Sequence, residues 1–506
     1  MELTTPLHER ARWLSIAAAL ALTALASRAV HLVATQPPSA QPHSRAARSA
    51  SARGRILAAD GTALAESVTG HEVDVAPAEL MRAPWAIDRL AALLGYNDTV
   101  TLQSEVMRAA ARGTRVLRVR RNVDESVAAR IRTERRELPG VWITEVPRRR
   151  YPLGELTAHP VGFMGDVDER DLAEPVGYHR GDRVGRAGLE RSWELTLRGV
   201  SSYAPDHRGM TLATTLDPAM QLAAARSLGD AAGAVVALDP RDGSVLAYVS
   251  RPAVDPMRFE GDAIEDYTAP RLWPSRPLLD RVSGETRAWT RWAGLMDLFD
   301  ELAIERASDC GTGALRGDET NTERWIRELG FGHMTGVDLR DEADGEVRPA
   351  RALTPEEAAS DQGVLVYPEL TATPLQVAVA FAAIANGGVL FQPRLVDRVL
   401  SPEGQIVHRA SPVVRARVTI PSCVRARALA VMAQVEAPDV SHTRAGALHD
   451  PHRSCVAVAP ALDPALVVVA VTDDGGVATP FTDPRSAALA VVRVWNERHP
   501  TRGARP

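Results

Sequence analysis

Two pairs of apolar runs, each joined by a tight turn, constrain the fold of this chain more than any other feature. The first is GAVVALDPRDGSVLAYVS, whose Asp-Pro-Arg-Asp-Gly junction is typical of a β-hairpin, and the second is SCVAVAPALDPALVVVAVTDD (454–474). Between them, LQVAVAFAAIANGG (375–388) predicts an apolar helix that ends at Asn386 and Gly387. Strands at both ends of the region, with helices between and after them, predict one sheet covered by helices.

Two further helices are expected around this sheet. Asp217 and Pro218 start a helix in TLATTLDPAMQLAAARSLGD, because aspartate caps a helix and proline suits its first turn. The C-terminal SAALAVVRVWNERH also predicts a helix. The Arg-rich run RVLRVRRNVDESVAARIRTERREL alternates with acids and apolar residues, and we interpret it as a solvated helix face, with nucleic-acid binding a distant alternative.

The chain contains no lysine, because all 59 residues of the combined lysine and arginine total are arginines. A guanidinium group stays protonated in proteins, so the sequence excludes a P-loop lysine, a Schiff-base lysine and a lysine general base. A net charge of -5 gives no overall basic field for nucleic acid. With 506 residues, 45% hydrophobic and 24% charged, the chain has the composition of a globular protein of two or three domains.

An apolar segment near the N-terminus, WLSIAAALALTALASRAVHLVAT (13–35), has the length of one bilayer crossing, about 20 residues. A signal peptide is the alternative, since Arg10 and Arg12 precede the apolar core and Ala24-Leu25-Ala26 resembles a cleavage site. Both interpretations export everything downstream. The following QPPSAQPHSRAARSASA (36–52) predicts a flexible linker.

Cysteine and histidine give weaker signals. The three cysteines, Cys310, Cys423 and Cys455, lie far apart, and the sequence does not decide which two would pair in an exported chain. The cluster HDPHRSC contains residue types that bind zinc (His449, Asp450, His452 and Cys455), but its spacing matches no standard site, so we favour a solvated loop. No metal or cofactor is expected.

Further segments carry a resemblance to a known family. They are RGRILAADGTALA (53–65), RRYPLGELTAHPVGF (149–163), GRAGLERSWELTLRG (185–199), LATTLDPAMQ, AVVALDPRDGSVLAYVSRP, LGFGHMTGVDL, TATPLQVAVAFAAIANGG and FQPRLV. In this order and spacing the chain resembles the class B penicillin-binding proteins, the bitopic peptidoglycan transpeptidases of division and elongation. None of the segments is specific by itself, whereas their order and spacing together are.

The resemblance implies an α+β fold and a domain order. It implies a cytoplasmic tail (1–12), an uncleaved transmembrane anchor (13–35), the linker (36–52), an irregular, dimerisation-like pedestal domain (53–206) and a transpeptidase-like, penicillin-binding domain (207–506). The last would be an antiparallel sheet flanked by helices, similar to serine β-lactamases. The chain would then cross the bacterial inner membrane once, with its bulk in the periplasm.

Working members of that family use the motifs Ser-x-x-Lys, Ser-x-Asn and Lys-Thr-Gly. The first falls on SGETRA, which places Glu285 at the serine position and Ala288 at the lysine position. Alanine performs no proton chemistry, and a serine hydroxyl needs a neighbouring base to become a nucleophile. Ser283 lies two positions early and lacks the family's lysine. We favour a helix start over a catalytic Glu285.

The other two motifs are also degraded. The second falls on ASDCGTGAL, where Ser308 is kept and Cys310 replaces asparagine. The third falls on SHTRAGA, where His442, Thr443 and Arg444 replace Lys-Thr-Gly, and Arg444 would add bulk at the strand edge that meets substrate. His442 could act as a base near neutral pH, but a strand residue left after decay of the site is favoured. The segment between the first two motifs is shorter than the family usually carries.

Three functions follow from these motifs. The favoured one is an inactive transpeptidase homologue that serves as a scaffold or regulator for a membrane-embedded glycan polymerase and other division or elongation proteins. The second is an active D,D-transpeptidase with rewired catalytic residues. The third is a sensor that binds peptidoglycan stem peptides or β-lactams without covalent chemistry.

Overall fold

The computed structural model describes residues 53–179, 181–199, 209–260, 276–284, 319–348, 369–433, 446–450, 454–461, 463–472 and 482–499. The predicted tail, anchor and linker (1–52) lie outside the described residues. Within the described part of the chain, none of the helices has the length and apolar character needed to cross a membrane.

The described chain contains short helices and many strands. The strands are β1 (Ile56–Leu57), β2 (Ala63–Val75), β3 (Leu117–Val123), β4 (Val141–Arg150), β5 (Met164–Asp166), β6 (Arg183–Gly185), β7 (Thr211–Thr214), β8 (Gly233–Leu238), β9 (Val245–Arg251), β10 (Glu346–Arg348), β11 (Glu369–Thr371), β12 (Val389–Phe391), β13 (Val396–Leu400), β14 (Ile406–Arg409), β15 (Val414–Arg417), β16 (Gly446–Asp450), β17 (Ser454–Ala459) and β18 (Leu466–Thr472). The α-helices are α1 (Pro77–Leu80), α2 (Pro84–Leu94), α3 (Thr99–Ala111), α4 (Glu125–Thr133), α5 (Ala158–Val161), α6 (Glu169–Ala173), α7 (Gly188–Ser192), α8 (Glu194–Arg198), α9 (Pro218–Leu228), α10 (Glu319–Glu328), α11 (Pro374–Ala385), α12 (Ser422–Ala433) and α13 (Pro484–Arg498).

The chain forms two compact units, one containing Glu72–Thr144 and a larger one containing Ser51–His71 and Glu145–Pro506. In the smaller unit, α1 to α4 and β3 surround an apolar core that includes Val73, Leu90, Leu102 and Ile131. The Arg-rich run is not one helix face: it forms β3 and then α4. Its first part alternates, with Val119 and Val123 buried between more exposed neighbours, which is the period of a strand.

The core of the larger unit is a five-stranded antiparallel sheet of order β16-β17-β18-β8-β9. The two predicted hairpins are confirmed as β8–β9 and β17–β18. Helix α11 packs on one face of the sheet, and α9 and α13 pack on the other. Because both faces are covered, β8 and β18 are buried along their whole length and consist almost entirely of small and branched apolar residues.

The predicted start of α9 and the predicted end of α11 are also confirmed. The Asp217 carboxylate accepts hydrogen bonds from the N–H groups of Ala219 and Met220 at the start of α9. In α11, Thr373 and Gln376 form a reciprocal capping box, and every residue of the helix is buried. The helix ends before Asn386, whose side chain bonds to nearby backbone groups.

A second sheet in the larger unit has the order β14-β13-β7-β1-β2. Strands β1 and β7 run parallel, while β7, β13 and β14 pair antiparallel. Shorter pairs are β5–β6, β10–β11 and β12–β15. The predicted boundary between pedestal and transpeptidase-like domain, at residue 206, lies outside the described residues.

Candidate functional site

Residues 276–284 lead into the first motif, and two parts of the larger unit hold this segment in place. The Ser250 hydroxyl on β9 accepts the Arg281 N–H and donates to the Leu279 carbonyl. Further along, the Val282 carbonyl accepts the N–H of Leu375 at 3.1 Å, which joins the segment to the start of α11. The position where the family mounts its nucleophile therefore follows a firmly anchored turn.

A trio of two buried hydroxyl groups and one partly buried carboxylate fixes the end of this turn. The Tyr248 hydroxyl, on β9, donates to Asp280 Oδ2 at 2.5 Å and lies 2.7 Å from Ser283 Oγ. Ser283 Oγ in turn lies 3.2 Å from the same carboxylate oxygen. Tyr248 and Ser283 are both 0% exposed. Burial, followed by the Asp280 carboxylate, raises the pKa of Tyr248 well above its usual value, so the phenol stays protonated and donates.

This geometry argues against Ser283 as a replacement nucleophile. Its hydroxyl is fully buried and hydrogen-bonded to Tyr248 and Asp280, whereas a serine nucleophile must be accessible to substrate in a cleft. Gly284 adds a steric limit, because a Cβ atom there would lie 2.5 Å from the Asp280 carbonyl oxygen. The three side chains hold the turn that comes just before position 285.

The side chain of Gln221, on α9, holds the backbone of Tyr248 through two hydrogen bonds. Its amide donates to the Tyr248 carbonyl at 2.6 Å and accepts the Tyr248 N–H at 2.8 Å. The sequence interpretation singled out neither Tyr248, Asp280 nor Gln221. The Asp-x-x-Ser spacing of residues 280–283 is the signal that could have pointed to the turn.

All seven predicted degenerate site positions lie outside the described residues: Glu285, Ala288, Ser308, Cys310, His442, Thr443 and Arg444. The structure therefore fixes only their flanks. The first motif follows Gly284 directly, and the third precedes β16, an edge strand of the five-stranded sheet among the described strands.

The N-terminal segments that carry the family resemblance converge on one buried ion-pair network. Arg53, from RGRILA, donates from Nε to Glu190 at 2.6 Å and from Nη2 to Glu194 at 2.7 Å. Arg149, from RRYPLG, donates from Nε to the other oxygen of Glu190, also at 2.6 Å. Burial opposes the charge on Glu190, but Arg149 and Arg53 outweigh it and lower the pKa of this carboxyl. The three segments therefore contact each other through this network.

The middle segments also meet through carboxylate and amide contacts. Asp338, from LGFGHMTGVDL, accepts the N–H groups of Leu395 and Val396, from FQPRLV, at 2.7 and 2.8 Å. Gln376, from TATPLQ, donates to the carbonyls of His333 and Asp344. The resembling segments named in these contacts therefore hold each other within the fold.

The described residues include part of the candidate zinc cluster and two of the three cysteines. In the described residues no group of three or more His, Cys, Asp or Glu is placed to hold a metal ion. His449 and Asp450 lie in β16, and His449 pairs with Cys455 of β17, so the expected loop is wrong for these residues. His452 lies outside the described residues.

Cys455 is free and buried, and burial raises its thiol pKa to about 12. Cys423 is disulfide-bonded.

Comparisons with known proteins give a consistent picture. The family model of the penicillin-binding protein dimerisation domain matches residues 48–211, and that of the penicillin-binding protein transpeptidase domain matches residues 313–451. Peptidoglycan D,D-transpeptidase MrdA of Escherichia coli strain K12 is 24% identical over 428 residues, covering 69% of this chain and 66% of the relative. Stage V sporulation protein D of Bacillus subtilis strain 168 is 25% identical over 423 residues, covering 72% and 62%.

A solved structure supports the fold. Penicillin-binding protein PBP2 from Helicobacter pylori superposes with a TM-score of 0.66 at 15% identity, covering 89% of this chain and 99% of that one. The chain belongs to the class B penicillin-binding proteins, with their dimerisation and transpeptidase domains. It spans slightly less than two thirds of the length of the curated relatives named above. Four predicted site positions (Glu285, Ala288, Ser308 and Cys310) precede the matched transpeptidase range, which begins at residue 313.

Proposed function

We propose that this chain is a catalytically inactive transpeptidase homologue that acts in peptidoglycan synthesis as a scaffold or regulator. The observation that carries the proposal is the absence of lysine from all 506 residues. Acylation by the family's serine needs a lysine one helical turn later, and substrate binding uses a second lysine on the strand. Without either, neither the nucleophile nor the carboxylate-binding site is available.

The contacts that maintain the fold are present, while the described residues offer no accessible serine beside position 285, and this also supports an inactive homologue. The ion-pair network of Arg53, Arg149 and Glu190 and the contacts of Asp338 and Gln376 are intact, so the fold is maintained. The nearest serine to the nucleophile position, Ser283, is fully buried. A folded scaffold that lacks the family's lysines is expected for a protein that functions through binding.

The proposal includes location and partners. The apolar segment 13–35 would anchor the chain in the cytoplasmic membrane with its bulk outside, where it would contact a membrane-embedded glycan polymerase and division or elongation proteins. A disulfide at Cys423 supports export, because disulfides persist in oxidising compartments. MrdA and stage V sporulation protein D are named for peptidoglycan transpeptidation and sporulation, which favours a role in the cell envelope.

Intact-mass spectrometry after incubation with a reactive penicillin tests the proposal. The full-length chain should keep its mass, while a penicillin-binding protein with an intact Ser-x-x-Lys motif, treated in parallel, gains one drug molecule. A stoichiometric adduct on this chain would overturn the proposal. Comparison of Glu285→Ala with Ser283→Ala would then identify the acylated side chain.

Two cellular variants complete the test. Glu285→Ala should leave cellular function intact, whereas deletion of residues 13–35 should abolish membrane localisation. A loss of function by stably folded Glu285→Ala would contradict an inactive site. A ligand-induced rise in melting temperature with stem peptide or penicillin, without an adduct, would assign the chain to the sensor class instead.

A further inference from the structure

The two short strand pairs β12–β15 and β13–β14 are halves of one long antiparallel hairpin. In the first, Val389 pairs with Arg417 and Phe391 with Val414. In the second, Arg398 pairs with Arg409. Backbone hydrogen bonds bridge the gap between the halves: Gln392 N–H to the Val413 carbonyl and Ala410 N–H to the Asp397 carbonyl. We call the returning arm, residues 406–417, the edge segment.

The edge segment is paired on one side only among the described strands. Its β14 part ends the sheet order β14-β13-β7-β1-β2, and its β15 part pairs with β12 alone. Its two strands present roughly 13 Å of backbone edge each, separated by residues 410–413, where Pro412 has no N–H to donate. Natural proteins shorten, bulge or cover such edges, because free N–H and C=O groups invite another strand to add.

The side chains of the edge segment are unusually apolar for their exposure. All residues of β14 and β15 are exposed. The exposed fractions are 51% for Ile406, 45% for Val407, 52% for Val413 and 41% for Val414. These are four of the eleven large apolar side chains exposed in the described part of the chain, and they fall within nine consecutive residues. Apolar exposure concentrated in this way marks an interaction site.

Charge on the segment is of one sign. Arg409, Arg415 and Arg417 are exposed, and the sequence has no acidic residue between Glu403 and Glu436. Arg409 lies directly opposite Arg398 in the hairpin. Arg398 is itself paired with Asp397, whose carboxylate accepts from its Nε at 2.8 Å, so an acidic partner would meet the exposed Arg409, Arg415 and Arg417. The whole chain carries a net charge of -5, so this basic strip is a local feature.

The exposed backbone edge, the apolar side chains and the positive charge together favour one kind of binding partner for the edge segment. A second copy pairing edge to edge would bring arginines against arginines, so charge disfavours self-association. A lipid surface would leave backbone groups of the free edge without hydrogen-bond partners. We propose that the edge segment 406–417 receives an extended, acidic segment of a partner protein, which adds as a strand to the outer edge. Backbone hydrogen bonds supply the affinity, the exposed valines and isoleucine contact alternate side chains, and the arginines select acidic residues.

A random 12-residue peptide display library, selected on the purified full-length chain, tests this proposal. Selected peptides should be rich in Asp and Glu alternating with branched apolar residues. Their binding should slow hydrogen exchange of backbone amides in residues 406–417. Arg409→Glu/Arg415→Glu/Arg417→Glu should weaken the binding about tenfold or more. The matched control Arg112→Glu/Arg135→Glu/Arg136→Glu, at exposed positions of the smaller unit, should leave it unchanged.

Further outcomes distinguish the alternatives. Peptides whose alternate backbone nitrogens are methylated should lose binding, because they keep their charge but cannot pair as a strand. Equal binding of methylated peptides, or a selection that yields no peptide dependent on residues 406–417, would overturn strand addition. Arginine-dependent binding to phosphatidylglycerol vesicles would reassign the strip to a lipid headgroup, and arginine-dependent sedimentation as a dimer would reassign it to a second copy. The result is independent of penicillin labelling, so it does not depend on the proposed loss of catalysis.

Discussion

Ser283 Oγ lies 2.7 Å from the Tyr248 hydroxyl, and these two fully buried hydroxyls share the partly buried Asp280 carboxylate. The serine nearest to the family's nucleophile position is therefore part of the scaffold. This contact fixes the turn that precedes residue 285 from β9.

Tyr248→Phe tests this structural role. The substitution keeps the ring and removes one hydroxyl, which leaves Asp280 and Ser283 short of a partner in a buried site. We expect the free energy of unfolding to fall by about 1–3 kcal/mol, the cost of an unsatisfied buried polar group. Chemical denaturation measures the change. Ser283→Ala should destabilise by a similar amount and leave penicillin labelling absent. An unchanged unfolding free energy in both variants would contradict the role of the trio.

The ion-pair network gives a second prediction. Glu190 is 0% exposed and forms ion pairs with two arginines, so Glu190→Ala leaves Arg149 buried without its charge partner. Breaking a buried pair in this way costs about 3–5 kcal/mol. The melting temperature of the variant should fall clearly. Glu134→Ala is the control, since its partner Arg89 is largely exposed and its removal should change melting little. Equal effects of the two substitutions would argue against the importance of burial.

A pH prediction follows from Glu260, which is buried beside Arg183. Burial raises its pKa to about 7, although Arg183 opposes the shift. An unfolded glutamate loses its proton near pH 4.3, so between that value and about 7 the folded state holds more protons than the unfolded state. Stability should therefore fall as pH rises through this window, by up to about 3 kcal/mol from this group.

Glu260→Gln stays neutral and keeps an oxygen for Arg183, so it should remove this contribution to the pH dependence. Thermal melts of the wild type and the variant between pH 4.5 and 8 measure it. Glu137→Gln, at an exposed position, serves as the matched control. Parallel melting curves for the wild type and Glu260→Gln across this range would show that the carboxyl titrates normally.

The sequence predicted the central sheet because its signals are local. The turn in GAVVALDPRDGSVLAYVS, the cap Asp217 and the helix end at Asn386 each act within a few residues, and the hairpin and helices form where expected. The family segments also predicted the scaffold, because their order can be read directly along the sequence. Burial on both faces made β8 and β18 easy to recognise as apolar runs.

Features that depend on contacts far apart in the chain escaped the sequence. Tyr248 meets Asp280 across 32 positions, and Arg53 meets Glu190 across 137, so no local pattern marks either pair. The alternation in LRVRRNV was hidden by its arginines, whose charge suggested a solvated helix although Val119 and Val123 face the core. The exposed edge segment could not be foreseen either, because exposure depends on which strands lie beside it.

The cysteines give the last prediction. The sequence left their pairing open, and the structure has Cys423 in a disulfide and Cys455 free in the core. Since the chain has only three cysteines, we expect Cys310 to be the partner of Cys423. Peptide mapping of the non-reduced, full-length chain expressed with its export segment should show a linked pair of peptides containing these two residues. Cys455 should resist alkylation until the protein unfolds, because its thiol is buried and its pKa is raised to about 12. Ready alkylation of Cys423 in protein recovered from the cell envelope would contradict the disulfide and weaken the case for export.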